Sequence, residues 1–547
     1  MPHRRATPKL AHGRYWSALA CMLAGILWFA SATLLAHGSA QRGRSVTSYV
    51  RTDGGTAAQC TGLANAAYSG SGINQACAWS NPMIALPPPP VYGQTGMPRI
   101  HGGDTLVIAA GSYMIGYGAP GSASCNTGMT YACTMAPIPS GPSPSQPTRV
   151  IGNGYGSGCR KAPELWGTQR AFAVLDLSGS SNVEVGCLEL TDHSACIENH
   201  CQRKGSCRGE IDRCPRDNYP YGAWAENGLV ASDSHDVYLH DLDIHGLANA
   251  GVRAGRLSDW TMERVKIVGN GFAGWDGDIR NGVATVDTSN HGTILFRGGE
   301  IGFNGCGERY PGRQIFGCWG QEEGGYGDGL GTGPTSGKWV FEDMYVHHNT
   351  QDGLDLLYAD GSGSITMIRV RAEANAGNQL KVSGTAVIAN ATVTGDCAYF
   401  STPQHVGAGN MQASDACRAS GDAIAAALSD GHTTEIRDST LTGQGGCLIT
   451  GSGGGPDAVL KLTHNTLSGQ PRWDDKTQLT CGYFLYESKA NIVADGNRLL
   501  NVKETSGLHA ACGDGREHPA DDKACRALER IYKALRGVDP SERDKKK

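Results

Sequence analysis

A right-handed parallel β-helix, a solenoid of roughly nine or ten stacked coils, is the fold that this 547-residue sequence predicts. Three observations lead there. The chain carries 78 Gly, 18% charged and 7% aromatic residues, a composition that suits many short strands and turns. Short apolar alternations recur, often closed by Asn and Gly, and the first two strong blocks are offset by 23 residues and the last two by 26, which matches one β-helical turn better than a helical repeat. The 19 Cys point to an oxidising compartment, where small stapled insertions are expected.

The elements follow in chain order. Residues 1–40 open with Arg4, Arg5, Lys9 and Arg14 and no acid, continue as an uncharged apolar stretch from Ser17 to Ala36, and end on Gly38-Ser39-Ala40. This reads as a secretory signal cleaved near Ala40, with an uncleaved membrane anchor as the alternative. Either way the remainder is exported, to a periplasmic or extracellular location. Residues 41–510 are assigned to the β-helix domain. GGDTLVIAAGSYMIG (102–116) reads as strand, turn and strand, and the Pro-rich segments at 87–90 and 137–147 read as loops.

The strongest repeats are HDVYLHDLDIHGL (235–247), SDWTMERVKIVGN (258–270), GTILFRGGEIGFN (292–304), GKWVFEDMYVHHN (337–349) and GSITMIRVRAEAN (363–375). Weaker copies at 181–190, 385–396, 433–443, 458–469 and 489–500 extend the array. Inward apolar and outward polar positions alternate in each, and stacking coils about 4.8 Å apart buries the inward columns. Cys-bearing insertions at 191–222 and 305–326 are expected to wall a groove. Residues 511–547 read as a C-terminal helical cap, Asp522 to Leu535 closed by Gly537, and a frayed tail.

Leaving out Cys21, 18 Cys remain. The expected staples are Cys60–Cys77, Cys125–Cys133, Cys306–Cys318, Cys397–Cys417, Cys447–Cys481 and Cys512–Cys525, while the pairing among Cys159, Cys187, Cys196, Cys201, Cys207 and Cys214 stays open. A zinc site on Cys196, Cys201, Cys207 and Cys214 is disfavoured, because the spacings miss the usual C-x-x-C pairs. Without residues 1–40 the chain has 43 basic and 52 acidic residues, a net charge of −9. No global basic surface for nucleic acid is therefore expected.

Aligning coils on their apolar positions places Leu330, Leu354 and Leu380 in one inward column, with Gly331, Asp355 and Lys381 beside them facing outward. Two residues earlier the alignment gives Asn281, Asp328, Asp352 and Asn378. Three carboxylates on adjacent coils repel unless a cation sits among them. Calcium fits, held by Asp328, Asp352 and Asp355 with the Gln351 amide oxygen as a neutral ligand. The structural alternative is that Asp-Gly turns and an Asn/Asp column cap the coil bends, with one Lys neutralising one Asp.

The run Gln351-Asp352-Gly353-Leu354-Asp355-Leu356-Leu357, followed by Gly377-Asn378-Gln379-Leu380-Lys381-Val382-Ser383-Gly384, resembles two motifs of polysaccharide lyase family nine, the β-helical pectate lyases. Those motifs are Asp-Asp-Gly-Phe-Asp-Leu and Gly-Asn-Gly-Phe-Lys-Leu-Gly-Gly. The GDTLVIAAGSY opening likewise resembles the first coil of the wider pectin lyase-like superfamily. The resemblance implies calcium on Asp328, Asp352 and Asp355, Lys381 as catalytic base, and anti-elimination on a uronate in an acidic polysaccharide. Two positions depart from the pattern: Gln351 where the family has a ligand, which bears on calcium affinity, and Gln379 where it has glycine, which bears on substrate fit.

Given that resemblance, Arg369 and Arg371 are candidates to bind other uronate carboxylates, or else are ordinary exposed charges. Asn378 joins the candidate substrate contacts, and Tyr358, Tyr326, Trp275 and Trp319 are candidates to stack on sugar rings. His347 and His348 are expected to be structural or groove-lining. The expected partner is an acidic polysaccharide bound by a monomeric chain. Two rivals share the fold: a glycoside hydrolase of the polygalacturonase type, whose Gly-His-Gly and Arg-Ile-Lys patterns are absent here, and a noncatalytic surface or carbohydrate-binding solenoid.

Overall fold

The computed structural model describes residues 45–90, 96–198, 213–277, 290–318, 326–357, 361–396, 399–401, 422–473, 475–486 and 488–503. The expected signal and C-terminal cap, Tyr358, Trp319, Asn281, Cys201, Cys207 and the Cys397–Cys417 and Cys512–Cys525 pairs lie outside the described residues. No helix among the described residues is long and apolar enough to cross a membrane.

The chain winds into a parallel β-helix. Among the described residues thirty-one strands join one sheet, and each pairs in parallel with its counterparts on the neighbouring coils. Three faces result. The first face has ten rungs, from Ala171–Asp176 to Cys481–Tyr486. The second has thirteen, from Thr47–Gly55 to Asn491–Asp495. The expected nine or ten coils match the first face, whereas the second face starts earlier than the sequence pattern suggests. Its first rung, Thr47–Gly55, holds few apolar residues, and Cys60–Cys77 staples the loop that follows it.

Alternation explains the core. Leu330, Leu354, Leu380, Ile365, Ile388, Ile436 and Leu460 point inward and are at most 1% exposed. Mid-solenoid the inward positions are aromatic, with Phe296 stacked on Phe341 at 4.9 Å and Trp260 edge-on to Trp275 at 6.1 Å.

Two devices turn the corners. Between the second and third faces, Arg264, Asp343, Arg369, Asn390, Asp438 and His464 stack at positive φ of 52 to 56°. Between the third and first faces, Asn270, Asn304, Asn349 and Asn375 form a buried ladder. Each side chain passes its amide hydrogens to the Oδ1 of the next, at 3.0, 2.8 and 2.7 Å. The Asn that closes four of the five strongest repeats is thus a hydrogen-bond relay that satisfies backbone groups buried at the bend.

Four expected disulfides form, and two of the undecided cysteine sets resolve as Cys159–Cys187 and Cys196–Cys214. The 305–326 insertion begins as an antiparallel hairpin, Cys306–Arg309 with Gln314–Cys318, stapled by Cys306–Cys318. The two insertions meet each other, with Ile197 packed beside Tyr326 and Phe272.

Candidate active site

Three short strands of the first face, Leu330–Gly331, Leu354–Asp355 and Leu380–Ser383, set the site. Their register pairs Leu330 with Leu354 and Leu354 with Leu380, so Gly331, Asp355 and Lys381 follow one another on the outer side. Preceding each strand, the bend brings Asp328, Asp352 and Asn378 into a second stack. The Asp352 amide donates to Asp328 Oδ1 at 3.1 Å, and the Asn378 amide and Nδ2 donate to Asp352 Oδ1 at 2.7 and 3.1 Å. At the position where the alignment expected Asn281, which lies outside the described residues, the register places Ala273, since Trp275 pairs with Leu330 and Ala273 thereby falls in line with Asp328.

Lys381 reaches across both stacks. Its Nζ donates to Asp352 Oδ2 at 2.9 Å and to Asp355 Oδ2 at 2.6 Å, and its side chain is 13% exposed. Asp328, Asp352 and Asp355 are 3%, 1% and 8% exposed, and one oxygen from each lies within 4.8 Å of the others. Burial, then the charges of Asp352 and Asp355, push Asp328 well above the usual carboxylate range. Asp355 is raised chiefly by burial, against the pull of Lys381. For Lys381, burial disfavours the ammonium, but the three aspartates outweigh it and hold the amine protonated well above its ordinary range.

With all three ionised, the carboxylates against one ammonium carry two excess negative charges in a buried cluster, the charge one divalent cation would cancel. The donor set fits a hard ion: carboxylates from two coils and the Gln351 Oε1, which is buried and has no hydrogen-bond partner among the described residues. Asn378 Oδ1 and Thr332 Oγ1 are orphaned in the same way. Glycines keep the space clear. A Cβ on Gly331 would lie 2.6 Å from Asp328 Oδ2, and one on Gly377 would lie 2.4 Å from Asp352 Oδ1.

Other expected site residues stand elsewhere. Arg369 sits at the corner between the second and third faces, bound by both guanidinium arms to Asp343 at 2.6 and 2.8 Å. Arg371 is on the third face, engaged with Glu373 at 2.8 Å and lying 4.8 Å over the Tyr345 ring. A bend at residues 374–379 separates both from Lys381, so closeness in sequence does not become a shared surface. Trp275 and Tyr326 are 1% and 2% exposed and pack in the interior, which removes them as sugar platforms. His347 lies on the third face against Glu300 at 3.1 Å, and His348 stacks on Phe303.

Gln379 has a structural task. Fully buried, it accepts the Asn375 amide and Nδ2 at 2.9 and 2.8 Å, ending the asparagine ladder. It therefore bears on the coil bend rather than on substrate fit. Asp422 was not singled out in the sequence. Its place in line with Asn378 follows from the pairing of Leu380 with Ile424. Burial pushes its carboxyl up to about 7, although the Cys447 amide and the Thr450 hydroxyl donate to it. The signal was the apolar run Ile424–Ala427, hidden by the long separation from Lys381.

No family model and no curated protein matches the chain. Solved structures similar to it include an alginate lyase from Paenibacillus sp. str. FPU-7, at 14% identity over 74% of this chain and 94% of that one, TM-score 0.30. The surface adhesin PfbA of Streptococcus pneumoniae matches at 8% identity over 73% and 83%, TM-score 0.34. Pectate lyase Pel9A matches at 12% identity over 88% and 91%, TM-score 0.31.

Proposed function

We propose that this chain is an exported polysaccharide lyase that cleaves a uronate-containing, pectate-like polymer by calcium-assisted β-elimination, with Lys381 as the base. The observation that carries this reading is one lysine amine seated against two buried aspartates, with a third carboxylate and an orphaned amide oxygen beside them. The motif resemblance assigns the same residues the same roles, and six disulfides among the described residues fit an oxidising compartment.

Asp328, Asp352, Asp355 and Gln351 would hold the calcium ion. When bound it would supply fixed positive charge at the substrate carboxylate and beside Lys381. The chain's own residues do the rest. Lys381, as the neutral amine, takes the proton alpha to the uronate carboxylate. The electron pair forms the ring double bond, and the glycosidic oxygen at the neighbouring carbon leaves. Asp352 and Asp355 orient the amine, and Asn378, fixed to Asp352, closes one side of the space.

The test is ultraviolet absorbance of unsaturated products when the purified protein meets pectate and a panel of other uronate polymers, with calcium and with chelator. Product that needs calcium and falls at least about 1,000-fold in Lys381→Ala is the expected outcome. Reducing ends without unsaturation would mean hydrolysis, and silence across the panel would mean a noncatalytic solenoid.

A further inference from the structure

The outer column that carries Lys381 runs further along the first face. Register links Arg253 to Asp276, Asp276 to Gly331, Gly331 to Asp355 and Asp355 to Lys381. The residues alternating with them, Val252, Trp275, Leu330, Leu354 and Leu380, are at most 1% exposed, so this column faces outward throughout. Arg253 stands four coils from Lys381, about 19 Å at the usual strand spacing.

Its pairing sets Arg253 apart from the corner arginines. Arg256, Arg264 and Arg369 each place two nitrogens on one aspartate at 2.6 to 2.9 Å. Arg253 meets Asp276 only at 3.5 Å, and its side chain is 37% exposed. The buried carboxylate of Glu226, on the preceding coil, is already taken by Arg216 at 2.7 Å. Beyond Lys381 the column becomes Ala425 and then Thr450, with no cation. The two arms of the column therefore differ: one carries an under-used guanidinium before running on to Val230 and Asp176, whereas the other carries no cation in the column among the described residues.

We propose that Arg253 is a remote carboxylate-binding subsite, which holds a uronate of the polymer several residues from the bond that breaks. This rests on the reading of the chain as acting on an acidic polysaccharide. A guanidinium presents a planar fork that a sugar carboxylate fills with two charge-assisted hydrogen bonds. Pyranose units laid along the face advance by roughly one per coil, so a short oligomer at Lys381 does not reach Arg253 and a longer one does. The site thus makes the enzyme selective for long acidic chains, and sets the acidic stretch on the N-terminal side of Lys381.

Calorimetric titration of the full chain with oligogalacturonates of three and of seven residues, in calcium and in a Lys381→Ala background so that neither oligomer is cleaved, tests this. The expected result is tighter binding of the longer oligomer, with the ratio of the two affinities falling about tenfold in Arg253→Ala and partly restored in Arg253→Lys. An unchanged ratio in Arg253→Ala, or no length preference while Arg253 is present, overturns the proposal. Unsaturated products from pectate together with an unchanged ratio would remove the subsite and leave the lyase. A ratio lost in Arg253→Ala without unsaturated products would do the reverse.

Discussion

Gln351 shows how one side chain sets the strength of a site. Its Nε2 leans on Asp352 Oδ2 at 3.4 Å, and its Oε1 is buried without a partner. A carboxylate there, as in the resembling family, adds a charged ligand and one more negative charge near the amine. Gln351→Asp is therefore expected to tighten calcium binding about tenfold, read by titration calorimetry. The same charge holds the Lys381 proton more firmly. Under the proposed role of Lys381 the reaction needs the neutral amine, so activity in both proteins is expected to rise with pH, and in Gln351→Asp that rise is expected to move to higher pH. A pH–rate profile that shifts downward would contradict the role given to Lys381.

Within an element, the asparagine ladder is the most exposed to a single substitution. Asn349 donates to Asn375 Oδ1 at 2.7 Å, and its Oδ1 accepts from the Asn304 amide and Nδ2 at 3.1 and 2.8 Å. Removing it strips four hydrogen bonds, one of them to the Ile301 carbonyl, from a fully buried bend. Asn349→Ala is expected to cost roughly 3 kcal/mol, measured by denaturant unfolding, since buried donors and acceptors are left unmade. Because Asn349 lies two residues before Gln351 and three before Asp352 on the same coil, the proposed calcium affinity should fall with it. The repeat-closing Asn was legible in the sequence as a pattern. That Gln379 completes the same ladder was not, since its motif position suggested the substrate side.

For the whole molecule, the notable joint is between the solenoid and its disulfide hairpin. His245 on the third face is clamped by Glu189 at 2.9 Å and by Glu308 of the hairpin at 2.8 Å. Burial disfavours its charged form, but the two glutamates prevail and raise it to about 9. A group raised on folding adds stability that is full below its ordinary value of about 6.5 and is lost as pH climbs through about 9. The unfolding midpoint in denaturant should therefore fall between pH 7 and pH 10, and His245→Gln should flatten that slope. Equal slopes in the two proteins would refute the clamp. Tyr310 of the same hairpin stacks on His193 at 3.7 Å, a second tether that does not depend on charge.

Local chemistry determined much of this protein from sequence alone. Apolar alternation at one-coil offsets fixed the parallel β-helix, because a period of two with a recurring Asn leaves few other ways to bury the inward face. The same offsets put Asp328, Asp352, Asp355 and Lys381 on adjacent rungs, since parallel register carries sequence spacing directly into space. Tertiary structure alone decided what lies around each corner. Arg369 and Arg371 are twelve and ten residues from Lys381 yet face another way, Trp275 turns inward, and Asp422 and Arg253 join the first face across gaps that no motif spans. Side-chain direction alternates every residue and each bend resets the face, so a small uncertainty in where a bend falls moves a residue from groove to core.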